Sequence, residues 1–176
     1  MEAPGEFAVS MAHLPSWLPP LIRLEDSGGD WPNYVEKVYR IFHRDFIESQ
    51  PQFNSLWGRC RHDPIYDGKE AGFWHCISTG RDEQNRVPDP RRCEHIAWIR
   101  AIIDHASHPA VSCWRNRRGS DKRQLLWLRE DFLVVFAFRE CRRDGSRYLQ
   151  VLTSYPTTEP HRIRKLRAER DTLQNG

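Results

Sequence analysis

The period of the hydrophobic pattern changes at Pro109, and that change limits the folds open to this chain of 176 residues. Before it, apolar residues recur at helical spacing; after it, they alternate as strands require. From Trp31, "WPNYVEKVYRIFHRDFIES" sets Tyr34, Val35, Val38, Ile41, Phe42 and Phe46 on one helical stripe, with Asp30 placed to cap it and Pro32 tolerated in its first turn. "KEAGFWHCIS" predicts a short helix despite Gly72. "DPRRCEHIAWIRAIIDHAS" predicts another, with Pro90 near its start and a broad apolar side from Cys93 to Ile103. Between the first two helices, "FNSLWGRCRHDP" reads as a short strand with Leu56, Gly58, Cys60 and His62 on one face, ended by Pro64 and the "YDGK" turn.

Beyond Pro109, "AVSCWRN", "KRQLLWLRE", "DFLVVFAFRE" and "RYLQVLTSY" predict four successive strands, with "RRGSD" and "CRRDGS" among their turns. "EPHRIRKLRAERDTLQ" predicts a closing helix, capped by Thr157 or Thr158 and with Pro160 in its first turn. Helices, then a run of strands, then a helix define an α+β class: N-terminal helices packed on a four-stranded antiparallel β-sheet with a C-terminal helix. Residues 31–176 are expected to form one domain, for which seven Trp, eight Phe and five Tyr supply large pieces of core. Residues 1–30 read as an extended, proline-containing arm whose Trp17, Leu18, Leu21, Ile22 and Leu24 lie along the domain and whose first ten residues are loose.

The net charge of +3 conceals an asymmetry. Residues 1–109 carry 12 Lys/Arg against 16 Asp/Glu, whereas residues 110–176 carry 15 against 8. A concentrated cationic half attracts polyanions, nucleic acid first, through counterion release and long-range steering. The plainer alternative is a solvated arginine-rich surface.

Five Cys at irregular spacing argue against a disulfide framework, and no apolar run is long enough to span a bilayer. The expectation is a cytoplasmic protein with reduced thiols and no membrane partner. Cys60-x-His62, His75-Cys76 and Cys93-x-His95 put thiols near imidazoles, but none has the gap of a zinc knuckle, so neither a metal nor another cofactor is expected. A nucleophile elbow and a glycine-rich phosphate loop are both missing from the sequence.

Five stretches, "DGKEAGFWHCIS", "PDPRRCEHIAWIR", "LLWL", "DFLVVFAF" and "YLQVLTSYP", spread over about residues 66–170, carry a resemblance. Together they resemble a family of small bacterial and phage-associated proteins that looks like part of the barnase, EndoU, colicin and RelE-like (BECR) nuclease group. The resemblance implies helices packed on a four-stranded antiparallel sheet and a toxin-like, metal-independent endoribonuclease that leaves a 2′,3′-cyclic phosphate. It also implies RNA, free or on the ribosome, as partner, and an antitoxin or immunity-type protein as a further one. The alternative is a noncatalytic RNA-binding or partner-binding module of phage or mobile-element origin. "TTEPH" departs from the family pattern, as do His95 and Ala97 at positions where basic residues are expected.

Metal-free RNA cleavage needs a base near the ribose 2′-hydroxyl, donors on the phosphate and an acid for the leaving oxygen. His75 suits proton transfer in both directions; its alternative is a partly buried structural histidine. Arg91 and Arg92 open a helix, one of them able to hold a phosphate while Glu94 orients it or acts as base; the alternative is a capping and salt-bridge arrangement. Lys122 and Arg123 point to opposite faces of a strand, and Arg123, which shares parity with Leu125 and Trp127, is the choice for the phosphate path. Thr153 and Tyr155 project from one face at the end of the last strand, as hydroxyl donors or a stacking surface. The expected catalytic set is His75, Arg92, Glu94, Arg123, Thr153 and Tyr155. Arg91, Lys122, Arg162, Arg164, Lys165 and Arg167 are the expected RNA-docking cations.

Overall fold

A computed structural model describes residues 14–80, 82 and 85–174. The expectation of a loose first ten residues lies outside them. The helices are α1 (Trp31–His43), α2 (Ala71–Ile77), α3 (Pro90–Glu94), α4 (Ile96–Asp104) and α5 (Pro160–Gln174). The strands are β1 (Gln52–Phe53), β2 (Leu56–Arg59), β3 (Ile65–Tyr66), β4 (Lys69–Glu70), β5 (Ser78–Thr79), β6 (Val87–Pro88), β7 (Val111–Arg118), β8 (Asp121–Leu128), β9 (Phe132–Glu140) and β10 (Arg147–Pro156).

The class is α+β, but the main sheet has six strands and is mixed, in the order β1-β2-β10-β9-β8-β7. β7 to β10 pair in sequence as antiparallel neighbours. The expected four-stranded sheet is thus extended by β2, which lies parallel to β10, and by β1. β2 also ends at Arg59, so Cys60 and His62 fall outside the strand expected to hold them. Two short hairpins, β3–β4 and β5–β6, complete the strands.

One face of the sheet carries the main core. Phe132, Val134, Phe136, Leu126, Leu149 and Val151 meet Phe42 and Phe46 from α1 and its continuation, Phe73 and Ile77 from α2, and Ile99 and Ile102 from α4. α1 begins as its sequence predicts: the Asp30 carboxylate accepts from the Asn33 amide at 3.3 Å and Pro32 sits in the first turn. It runs on into a π-helical turn over Arg44–Glu48, whose end is held from outside by Arg100 Nη1, donating to the Asp45 and Ser49 carbonyls at 3.0 Å each. Gly72 is required where α2 starts. A Cβ there would stand 2.8 Å from Cys60 Cβ, and its own N–H donates to the Arg61 carbonyl at 2.8 Å.

The single helix expected over "DPRRCEHIAWIRAIIDHAS" is two, because His95 takes φ −95°, ψ 8° and breaks the spiral. Its Nδ1–H donates to the Arg91 carbonyl at 2.6 Å while the ring stacks on Phe132 at 5.1 Å. Burial pushes its pKa down from 6.5, so the neutral ring belongs to the core. The arm from Leu14 to Leu24 also packs on this core. The Trp98 indole donates to the Pro19 carbonyl at 2.8 Å and the Tyr34 hydroxyl to the Ile22 carbonyl at 2.7 Å.

The opposite face is covered only in part, by α5. Leu166 is the buried residue of that helix, and it meets Trp114, Leu125, Trp127, Leu133 and Val135. Polar contacts supply the remaining hold: Arg167 and Arg170 both pair with Glu130, and Glu169 accepts from the Trp114 indole at 2.8 Å. Thr157 does not cap the helix. Its hydroxyl donates to the Glu130 carbonyl and accepts from the Trp127 indole at 3.0 Å, latching the exit of β10 to the β8–β9 turn.

Candidate anion-binding site

The uncovered part of this second face forms a cavity of about 320 Å³, beside α5 and between the ends of β7, β8 and β10 and the β5–β6 hairpin. Arg86, Arg92, Arg118 and Arg123 line it, with Ser78 and Asn116. Among its described lining residues there is no carboxylate.

A β-bulge aims two further residues into it. Val151 pairs with Phe136 and Thr153 with Val135, so Leu152 is an extra residue in β10. Simple alternation would put Thr153 and Tyr155 on the side of Leu149 and Val151, inside the main core. The extra residue reverses the parity, so Leu152, Thr153 and Tyr155 all line the cavity while Ser154 is buried. Thr153 Oγ1 accepts from Arg92 Nη1 at 3.1 Å, and the Arg92 guanidinium lies 5.3 Å from the Tyr155 ring centre. The Arg162 guanidinium is 5.0 Å from the same ring.

Opposite, Asn116 pairs with Arg123 across β7 and β8, which puts both on this face. Asn116 Nδ2 donates to Glu169 at 2.7 Å, which leaves its Oδ1 toward the interior. Of nine buried side-chain polar atoms without a hydrogen-bond partner among the described residues, five belong to this lining: Ser78 Oγ, Arg86 Nε, Arg92 Nε, Asn116 Oδ1 and Arg123 Nε. Buried polar groups in folded proteins are ordinarily paired, and an unpaired donor costs on the order of 1–3 kcal/mol. Four arginines lining one cavity without a described carboxylate make it suited to an anion. Arginine forks match the oxygens of phosphate or carboxylate.

Burial lowers the Arg92 pKa, with Asp89 as the leading opposing influence, but the guanidinium stays charged. Burial also raises the Tyr155 pKa, against the pull of Arg162, Arg118 and Arg92. The phenol therefore stays protonated at neutral pH, as a hydrogen-bond donor or an acid rather than a base. Burial pushes the Cys76 thiol, on the far side of β10, up to about 12, which removes it as a nucleophile. Among the described residues no group of three or more His, Cys, Asp and Glu is placed to hold a metal ion.

Four of the six expected catalytic residues, Arg92, Arg123, Thr153 and Tyr155, thus share one cavity. His75 does not join them; it lines a neighbouring cavity of about 680 Å³. Glu94 is turned away and accepts from Arg23 at 3.2 Å. Among the expected docking cations, Arg91 and Arg162 line a small side cavity of about 120 Å³ that shares Arg92 and Tyr155 with the main one. Lys122 is exposed and, by its parity, on the other face from Arg123. Arg164 and Lys165 are exposed on α5, and the charge of Arg167 is taken up by Glu130.

Arg86, Asn116 and Arg118 are cavity residues that sequence reasoning passed over. The last two were legible: the alternation of Trp114 continues through Asn116 to Arg118, but the arginines after Asn116 read as a turn. Arg86 follows a loop and gave no signal.

Compared with known proteins, the chain matches no family model, no curated protein and no solved structure. Among the described residues no helix is long and apolar enough to cross a membrane.

Proposed function

We propose that the protein binds the phosphodiester backbone of RNA in the arginine cavity and cleaves it as an endoribonuclease, without a metal. The observation that supports this most is the lining of one cavity by Arg86, Arg92, Arg118 and Arg123 without a described carboxylate. In the step, the ribose 2′-oxygen attacks phosphorus, its proton passes to water or hydroxide, and the bond from phosphorus to the 5′-oxygen breaks. The arginines take the charge that gathers on the phosphoryl oxygens, and the Tyr155 phenol protonates the leaving oxygen. A 2′,3′-cyclic phosphate and a 5′-hydroxyl are the products. An antitoxin or immunity-type partner would silence such a site by placing carboxylates in the same cavity.

A second reading, a noncatalytic RNA-binding module, is favoured by one observation: His75, the residue best suited to be the general base, lines a different cavity. Incubation with total RNA in excess EDTA, with end-group analysis of the fragments, separates the two. The nuclease gives cyclic phosphate ends, and Tyr155→Phe abolishes them while leaving RNA binding in place. Intact RNA that is nonetheless bound would favour the binding module.

A further inference from the structure

The larger, neighbouring cavity differs in chemistry from the arginine cavity. Its volume of about 680 Å³ falls in the range of ligand sites, and Trp31, Tyr66 and Trp74 line it together with Glu36, Lys69 and His75. Tyr66 is 39% exposed, so an aromatic ring is presented to an incoming ligand. The Trp74 indole donates to the Tyr66 carbonyl at 3.0 Å, which fixes one ring against the β3–β4 hairpin that carries the other. That hairpin turns tightly at Asp67 and Gly68, whose φ of 47° and 68° suit the two-residue "DG" turn.

Two residues, Ser78 and Arg86, line both cavities. The aromatic space and the cationic space therefore meet at a common wall that carries the Arg86 guanidinium. A ligand that reaches from one to the other must have an anionic part and a flat, polar-edged part beside it.

We infer that the aromatic cavity is a nucleobase subsite, in which the base next to the phosphate held by Arg86, Arg92 and Arg123 stacks on Tyr66 and Trp74. The ligand class is a nucleotide with its base and phosphate in adjoining cavities. This rests on the reading of the arginine cavity as a phosphate site. Glu36 and Lys69, which pair with each other, and His75 bring polar groups to the cavity wall, and stacking is tolerant of which base is present. The site thereby gives the aromatic residues and His75 a recognition role.

The probes are a 2′-O-methyl hexaribonucleotide, which the protein cannot cleave by 2′-attack, a tetrahydrofuran abasic oligomer of equal length and charge, and a nucleoside 5′-monophosphate. Binding is measured by titration calorimetry with the wild type and with Tyr66→Ala, Trp74→Leu and Arg92→Ala. The base-bearing hexamer should bind on the order of tenfold more tightly than the abasic one. Tyr66→Ala and Trp74→Leu should each erode that preference and leave abasic binding unchanged, whereas Arg92→Ala should weaken both oligomers alike. Tyr66→Ala, at an exposed side chain, keeps the test valid should Trp74→Leu fold poorly. Equal affinity of the two oligomers, unaltered by the aromatic variants, would overturn the base subsite and leave the phosphate site standing. Failure of both oligomers to bind would remove both sites. A monophosphate that binds as tightly as the hexamer supports the paired cavities and identifies free nucleotide, rather than an RNA strand, as their occupant.

Discussion

The two faces of the main sheet are built to opposite ends. On the first, Phe42, Phe73, Ile99 and Leu126 are fully buried, and the polar atoms of Tyr34 and Trp98 that reach this core find backbone carbonyls. On the second, one helix is held by Leu166 and a few ion pairs, and beside it Arg86, Arg92, Asn116 and Arg123 each keep one buried polar atom without a hydrogen-bond partner among the described residues. The first face carries the stability of the domain. The second leaves polar atoms unpaired beside a cavity lined by arginines, at some cost in stability.

The largest effect that can test this division is on stability. Phe42→Ala, in the closed face, should cost about 3–5 kcal/mol in urea unfolding, whereas Leu152→Ala, at the bulge beside the cavity, should cost clearly less, about 1 kcal/mol. Similar losses at both positions would break the contrast. Next in size, Arg123→Leu should raise unfolding free energy by up to about 1 kcal/mol, since it removes a half-buried charge whose ion-pair partner among the described residues is Asp121, 3.7 Å away. The same variant should bind RNA more weakly, and a destabilised Arg123→Leu would show that the cavity is not under strain.

A smaller effect concerns pH. His95 on the closed face has its folded pKa below 6.5, so the unfolded chain binds more protons there. Its contribution is fully present above about 6.5 and is lost as pH falls toward the folded value. His95→Asn, which retains a donor for the Arg91 carbonyl, should flatten the decline in thermal midpoint between neutral pH and mildly acidic pH. An unchanged profile would mean that other groups govern it. On the second face, the raised pKa of Tyr155 keeps the phenol protonated through pH 9, so RNA cleavage should show no alkaline loss from this group below its ordinary value of 10.

What the sequence made legible follows the same division. α1 could be placed from its cap, its proline and its stripe, and β7 to β10 from alternation and turn residues, because these signals are local. Arg92, Arg123, Thr153 and Tyr155 were legible as residue types suited to a phosphate, but their meeting depends on the extra residue at Leu152, and a bulge has no signature before the pairing is known. The chemistry of His75 was legible, but not that it lines the neighbouring cavity, because a histidine's surroundings depend on tertiary packing. β2 was read as a strand, yet its parallel pairing with β10 joins segments about 90 residues apart in the chain and leaves no local trace.

The central claim is that Arg86, Arg92 and Arg123 together hold RNA phosphate. Its most direct test is the salt dependence of RNA binding by the wild type, by Arg92→Ala and Arg123→Ala, and by Arg164→Ala on the exposed side of α5. Each cavity variant should lower affinity on the order of tenfold or more and reduce the slope of log affinity against log salt by about one, while Arg164→Ala changes both far less. Slopes that are the same for the wild type and both cavity variants, or a larger change in Arg164→Ala, would contradict it.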